Sequence, residues 1–134
     1  MMIDHRFDLS VYYEDTDLAG IVYYANYLKF IERARSEWVQ TLGIDQMRLK
    51  AERGVVFAVR RIEADYLQAA KFGDRLQVST RVLDITGARV RLEQTVERDK
   101  EALFKAIVTL IALTEGGKAT RLPAEFRFKL NKNL

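Results

Sequence analysis

The chain has no cysteine, and one each of histidine, proline and tryptophan. Without thiols there can be no disulfide, thiolate zinc site or cysteine nucleophile. With His5 as the sole imidazole, a multi-histidine metal site cannot be assembled. A Ser-His-Asp triad would have to draw on that same residue, in an N-terminal stretch expected to be mobile. Long apolar runs are also missing. The longest is Ala106 to Leu113, the length of a strand and far too short to span a bilayer. The opening MMIDHRFDLS sets Asp4, His5, Arg6 and Asp8 where a secretory signal needs apolar residues, so cytoplasmic residence is expected. Any chemistry must therefore come from carboxylates, backbone dipoles and water, with no cofactor and no metal.

Nucleic acid is not an expected partner either. The net charge of +3 favours anionic partners only weakly. There is no Lys/Arg block, no glycine-rich phosphate loop and no RNA-binding aromatic motif. The C-terminal segment is basic, with Lys118, Arg121, Arg127, Lys129 and Lys132, and reads as a solvated surface.

What is present is globular: 49% apolar and 31% charged residues, consistent with one domain over residues 1–134. Phe7 to Tyr13 reads as a first strand, ending in the polar EDTD. Tyr27, Ile31, Ala34, Trp38 and Leu42 then recur at spacings of four, three, four and four, marking one apolar helix face. Leu28 and Phe30 widen it, and Trp38 belongs to the core. Arg33 with Glu37 and Glu32 with Arg35 have the spacing of helix-surface ion pairs. Gly43 stops this helix, and a short one follows across Asp45 to Arg53, ended by Gly54.

Beyond Gly54 the pattern becomes that of strands. Val55 to Leu67 is rich in β-branched and aromatic residues, and Arg75 to Ile85 alternates. Val90, Leu92, Gln94 and Val96 alternate with Arg89, Arg91, Glu93 and Glu97. Asp99-Lys100 turns the chain into Ala102 to Thr114, which is apolar on both faces. Pro123 opens a last helix, Ala124 to Leu130. The order is one strand, one long apolar helix and a meander of four antiparallel strands. Such a helix needs a sheet to wrap it, which gives an α+β packing with the helix on one sheet face. The second face of the strand from Ala102 must also be covered, for which a homo-oligomer would serve. A cystatin-like or cone-shaped α+β domain has the same element order.

Between first strand and long helix lies YYEDTDLAGIVYYANYLKFIERAR, residues 12–35. Taken alone, Asp15 and Asp17 are turn-formers or helix caps. The whole stretch closely resembles the hotdog-fold acyl-CoA thioesterases, in the group of 4-hydroxybenzoyl-CoA thioesterase and the Tol-Pal-associated (YbgC-like) enzymes. Asp15, Asp17, Gly20, Val22, Tyr23, Asn26, Tyr27, Glu32, Ala34 and Arg35 fill the pattern of that family, and VVFAVRRIEADYLQAAKFGD agrees with it.

The resemblance implies a hotdog fold, an antiparallel sheet wrapped around one long central helix. It implies hydrolysis of an acyl-CoA to a free acid and CoA. Asp17 would act as general base on water or as nucleophile, and the Tyr24 backbone N–H would polarise the thioester carbonyl. Many YbgC-like relatives carry histidine where this chain has Tyr24, which draws this site toward the benzoyl-CoA pattern. Gly20, Val22, Tyr23 and Asn26 become candidates for contact with substrate, although a turn glycine, core aromatics and a loop tie are the plainer roles. Arg60, Arg61, Lys71, Arg89 and Arg91 are candidates for the CoA phosphates. Arg60 and Arg61, consecutive in a strand, should face opposite sides. A dimer or tetramer is implied, and acyl carrier protein is a further candidate partner suited to the basic C-terminal segment. The alternative is a non-catalytic hotdog module that binds acyl-CoA or acyl carrier protein.

Overall fold

A computed structural model describes residues 4–132; residues 1–3 and 133–134, the ends of the expected domain, lie outside it. The strands are β1 (His5–Ser10), β2 (Val56–Tyr66), β3 (Arg75–Ile85), β4 (Arg89–Arg98), β5 (Glu101–Leu113) and the two-residue β6 (Ala119–Thr120). The helices are α1 (Asn26–Thr41), α2 (Gln46–Arg53) and α3 (Ala124–Lys132).

The apolar stripe of α1 is what places it. Tyr27, Phe30, Ile31, Ala34, Trp38 and Val39 are all buried, whereas Leu28 stays partly exposed. They lie against the inward residues of the sheet, among them Val78, Val82, Val90, Leu92, Phe104 and Val108. Each large aliphatic side chain so buried contributes about 1.5–3 kcal/mol. This is the α+β hotdog arrangement, with the long helix on one face of an antiparallel sheet.

The four-strand meander needs correcting. The sheet order is β1-β3-β4-β5-β2, with β6 also on β5, so only β3, β4 and β5 form a meander. β2 pairs with β5 instead of β3. The chain then crosses from one edge of the sheet toward the other through residues 67–74. The crossing is pinned where it passes the sheet end: Leu67 and Gln68 N–H both donate to the Leu103 carbonyl, at 2.8 and 3.1 Å. Ala70, in the middle of the crossing, is fully buried.

Two polar residues penetrate the core together. Gln94 faces α1 from β4 and is fully buried. Its amide nitrogen donates to the Ile31 carbonyl and the Thr80 hydroxyl, each at 2.9 Å, and its oxygen accepts from Arg35 Nη1 at 3.0 Å. Arg35 is therefore not the surface ion-pair partner its spacing from Glu32 suggests. Glu37 likewise pairs with His5 Nε2 at 2.9 Å rather than with Arg33. That pairing sets His5 in β1, against α1.

The basic C-terminal segment contributes to the core. Leu122, Phe126 and Leu130 are 0–1% exposed, and Phe126 meets Trp38 and Phe57 at ring distances of 5.9 and 4.8 Å. On the outer sheet face, Ile107 and Ile111 of β5 are only half-covered. Nearby, Arg81 pairs with Glu93 and Arg91 with Asp84.

Candidate active site

The stretch from Tyr12 to Asn26 is tied to itself at Asp15. The Asp15 carboxylate accepts from the Tyr12 N–H at 2.8 Å, and its carbonyl accepts from the Tyr23 N–H and Asn26 Nδ2, both at 2.9 Å. Asp15 and Asn26 are each only 9% exposed. They hold both ends of the loop together.

Asp17 stands in a different environment, at the exposed tip of a small hairpin. Its N–H donates to the Ile21 carbonyl at 3.0 Å, its carbonyl accepts from Gly20 N–H at 2.9 Å, and Thr16 pairs with Val22. One carboxylate oxygen accepts from the Ala19 N–H at 2.9 Å, which fixes the rotamer. The other oxygen has no partner among the described residues. Gly20 has φ +78°, and a Cβ added there would meet nothing within 4 Å. Backbone conformation is thus the requirement at Gly20, rather than close packing within the chain.

The start of α1 is the second part. Its N-cap is Ala25, which offers no side-chain acceptor. By contrast, α2 is capped at one end by Asp45, which accepts from Arg48 N–H, and at the other by Gly54 at φ +63°. Among the described residues nothing accepts from the Tyr24 or Ala25 N–H. These unpaired donors at the positive end of a helix are suited to an anion or developing oxyanion.

Beside them opens an apolar cleft of about 370 Å³, bounded by Ile21, Val22, Tyr24, Tyr27, Tyr66 and Leu67. Tyr27 is buried, stacked on Phe104 at 5.1 Å, and its hydroxyl accepts from Ala70 N–H at 3.0 Å. Tyr66, at the end of β2, donates its hydroxyl to the Tyr24 carbonyl at 3.0 Å. Tyr23 and Tyr24 are exposed, with rings 4.9 Å apart. The Tyr23 phenol is pushed above the ordinary tyrosine range, chiefly by its hydrogen bond with Tyr24 and with the Asp17 charge adding to the effect. Asp17, Tyr23 and Tyr24 thus share one electrostatic neighbourhood.

Of the basic residues, Lys71 is brought to this loop, because it pairs with Ile21. Its turn is held by Asp74, whose carboxylate accepts from Lys71 N–H at 2.8 Å and Arg98 Nη1 at 2.7 Å. Arg60, Arg61, Arg89 and Arg91 lie elsewhere in the chain. Arg61 is opposite Thr109 and Tyr66 opposite Phe104. Their separation along β2 is about 16 Å at the usual ~3.3 Å rise per residue. Arg89, opposite Ile111, is farther still. Arg91 is bound to Asp84, with Nε 2.9 Å from the carboxylate, and Arg61 lies 3.4 Å from Glu63. Arg60 is the extra residue of a β-bulge between Val59 and Arg61, so the simple alternation expected of Arg60 and Arg61 does not hold. The sequence reading did not single out Tyr66 or Asp74. Tyr66 carries one faint signal, an aromatic at a strand end, but its partner is legible only once the β2–β5 register is known.

An exposed carboxylate, unpaired N–H groups and an apolar cleft thus lie on or beside one short loop. No helix among the described residues is long and apolar enough to cross a membrane. Residues 11–130 match the thioesterase-like superfamily. The chain is 40% identical to the acyl-CoA thioesterase YbgC of Haemophilus influenzae, with 94% of this chain and 95% of that protein covered. It superposes on a probable thioesterase from Bartonella henselae with TM-score 0.87 at 35% identity, covering 90% and 100% of the two chains. A DHNA-CoA thioesterase from Staphylococcus aureus shares the fold, with TM-score 0.91 at 22% identity and 98% and 91% covered. The chain belongs to the thioesterase-like superfamily of hotdog proteins, within its YbgC-like group.

Proposed function

We propose that this protein hydrolyses acyl-CoA thioesters to the free acid and CoA, using Asp17 and the start of α1. The observation that carries the proposal is the pairing of an exposed, rotamer-fixed carboxylate with an uncapped helix start on one short loop beside an apolar cleft. In the base route, Asp17 takes a proton from water as the water oxygen adds to the thioester carbonyl. The negative charge that develops on the carbonyl oxygen is received by the Tyr24 N–H, a type of contact typically worth about 3 kcal/mol. Collapse expels the CoA thiolate, which takes up the proton. In the nucleophile route, Asp17 attacks the same carbonyl, releases CoA and leaves an anhydride that water hydrolyses.

The acyl group occupies the cleft, with Gly20, Val22 and Tyr23 along its approach and Lys71 carried beside the loop by its pairing with Ile21. Assembly as a dimer or tetramer is part of this reading, with the four arginines on β2 and β4 available to a CoA phosphate at a subunit boundary. The protein is cytoplasmic on this reading, and the basic face of the C-terminal segment suits an acidic partner such as acyl carrier protein.

The test is thiol release from short, long and aromatic acyl-CoAs by the wild type and Asp17→Asn. We expect the variant to fold and to lose at least a hundredfold in kcat/KM. A folded Asp17→Asn with wild-type kcat/KM would overturn the mechanism. Acyl-CoA binding without turnover by the wild type would support a binding module instead.

A further inference from the structure

The hydroxyl of Tyr66 has a role that the packing of its ring does not explain. We propose that Tyr66 is a positioning residue for the reaction: by donating to the Tyr24 carbonyl, it fixes the peptide groups at the start of α1 that receive the thioester oxygen. The inference rests on the thioesterase reading above.

Three observations support it. First, α1 starts without a side-chain cap, so its first turn lacks the usual local restraint. Asn26 ties that turn back to Asp15 on the loop side. On the sheet side the tie is Tyr66, whose hydroxyl lies 3.0 Å from the Tyr24 carbonyl. Second, Tyr66 is itself held. It lies opposite Phe104 across the β2–β5 pair, and its ring packs at 5.0 Å from Phe104 and 5.7 Å from Tyr27. Phe104 is fully buried. The hydrogen bond thus transmits the rigidity of the core to a helix end that is otherwise open to solvent.

Third, the chemistry of the contact suits the task. A phenylalanine would fill the same space, so the hydroxyl is the informative atom. It donates into the peptide unit shared by Tyr24 and Ala25, and a donor on that carbonyl polarises the Ala25 N–H on the same amide. It also fixes the turn that carries the unpaired Tyr24 N–H. Burial pushes the Tyr66 phenol above the ordinary tyrosine range, with the neighbouring Tyr24 and Tyr27 adding to it. The group therefore remains a donor throughout the neutral and mildly alkaline range. The neighbouring Tyr27 hydroxyl is held at a different point of the cleft wall, where it accepts from the Ala70 N–H.

The test compares Tyr66→Phe, Tyr66→Leu and Asp17→Asn with the wild type on butyryl-, octanoyl- and benzoyl-CoA. A lost oriented hydrogen bond predicts a roughly five- to twentyfold fall in kcat for Tyr66→Phe, with KM within about twofold and the pH profile unmoved. Tyr66→Leu, which also removes the ring from the cleft, should raise KM as well. Amide hydrogen exchange at Asn26 and Leu28, whose N–H groups donate to the Tyr23 and Ala25 carbonyls in this turn, measured without substrate, should quicken in Tyr66→Phe while the β4 and β5 amides keep their protection. A Tyr66→Phe enzyme with kcat within about twofold of wild type, or with a change confined to KM, overturns the proposal. Unchanged exchange at Asn26 and Leu28 overturns it too. An inactive Asp17→Asn beside a fully active Tyr66→Phe removes the Tyr66 role alone. A fully active Asp17→Asn removes the thioesterase mechanism on which that role depends.

Discussion

Replacing Gln94 with methionine should be among the most damaging single changes that leave the active-site loop untouched. Gln94 is fully buried and makes three hydrogen bonds, to Arg35, Thr80 and the Ile31 carbonyl. The bond from Arg35 matters most. Arg35 is 9% exposed, and burial pushes its guanidinium below the usual arginine range, against the charge of Glu32. A hydrogen bond to a charged group is worth about 1.5–3 kcal/mol, and the Thr80 bond adds about 1 kcal/mol. The Ile31 carbonyl keeps its helical partner and loses less. Methionine returns about 1 kcal/mol through its buried carbons. The net destabilisation is about 3 kcal/mol. With an unfolding entropy near 2.1 cal/mol/K per residue, that lowers Tm by about 10 °C. Urea unfolding and calorimetry would measure both quantities. Arg35→Met with Gln94→Met should be at least about 1 kcal/mol less destabilised than the sum of the single variants, because the double variant buries no unpartnered guanidinium. A Gln94→Met protein within about 1 kcal/mol of wild type, or an additive double variant, would refute the account of Arg35 as a charge that depends on one neutral acceptor.

Two further outcomes concern turns. Burial alone would push the Asp74 carboxyl up, but the Lys71 N–H and the Arg98 guanidinium outweigh it and hold the group below the usual range. Its contribution is therefore complete above the unfolded pKa of about 3.9 and is lost as pH falls through the lower folded value. Asp74→Asn should be less stable than wild type in urea at pH 7, with the gap closing below about pH 4; a gap that does not change with pH would refute this. At the β4–β5 hairpin, Asp99 and Lys100 both have positive φ, 51° and 68°. Lys100→Gly should raise the unfolding free energy by about 0.5–1 kcal/mol, since the turn demands a conformation that only glycine adopts freely. A loss of stability would show that the Lys100 side chain is making contacts that outweigh the strain.

The periodic elements were legible from residues alone because each has a single buried face. The α1 stripe and the bounds of β3 are examples. The pairing of β2 was not, because strand pattern shows which face is buried and not which neighbour is bonded. The crossing at residues 67–74 decides that neighbour, and it is held by backbone groups with no side-chain signature. Arg35 was misplaced on the helix surface although a signal was there. It lies four residues after Ile31 and three before Trp38, in phase with the buried stripe, while Gln94 lies in phase with the inward residues of β4. Two polar residues, each in the buried phase of its own element, are suited to meet. At the loop, Asp15 and Asp17 have the same side chain two positions apart, and only the backbone donors around them separate a tie from an exposed carboxylate. The Tyr66 contact spans 42 residues and depends on the same β2–β5 pairing.

The crossing has a consequence for how such a protein can change. Its wall of the cleft is held by main-chain groups: Leu67 and Gln68 on Leu103, and Ala70 between the Val22 N–H and the Tyr27 hydroxyl. The side chains of Leu67 and Gln68 carry none of that restraint, and the loop bearing Asp17 belongs to another part of the chain. Under the proposed mechanism, drift at those two positions can reshape what the cleft admits while Asp17 and the start of α1 stay where they are. Selectivity and reactivity, on that proposal, are written in separate stretches of the chain, free to be revised at different speeds.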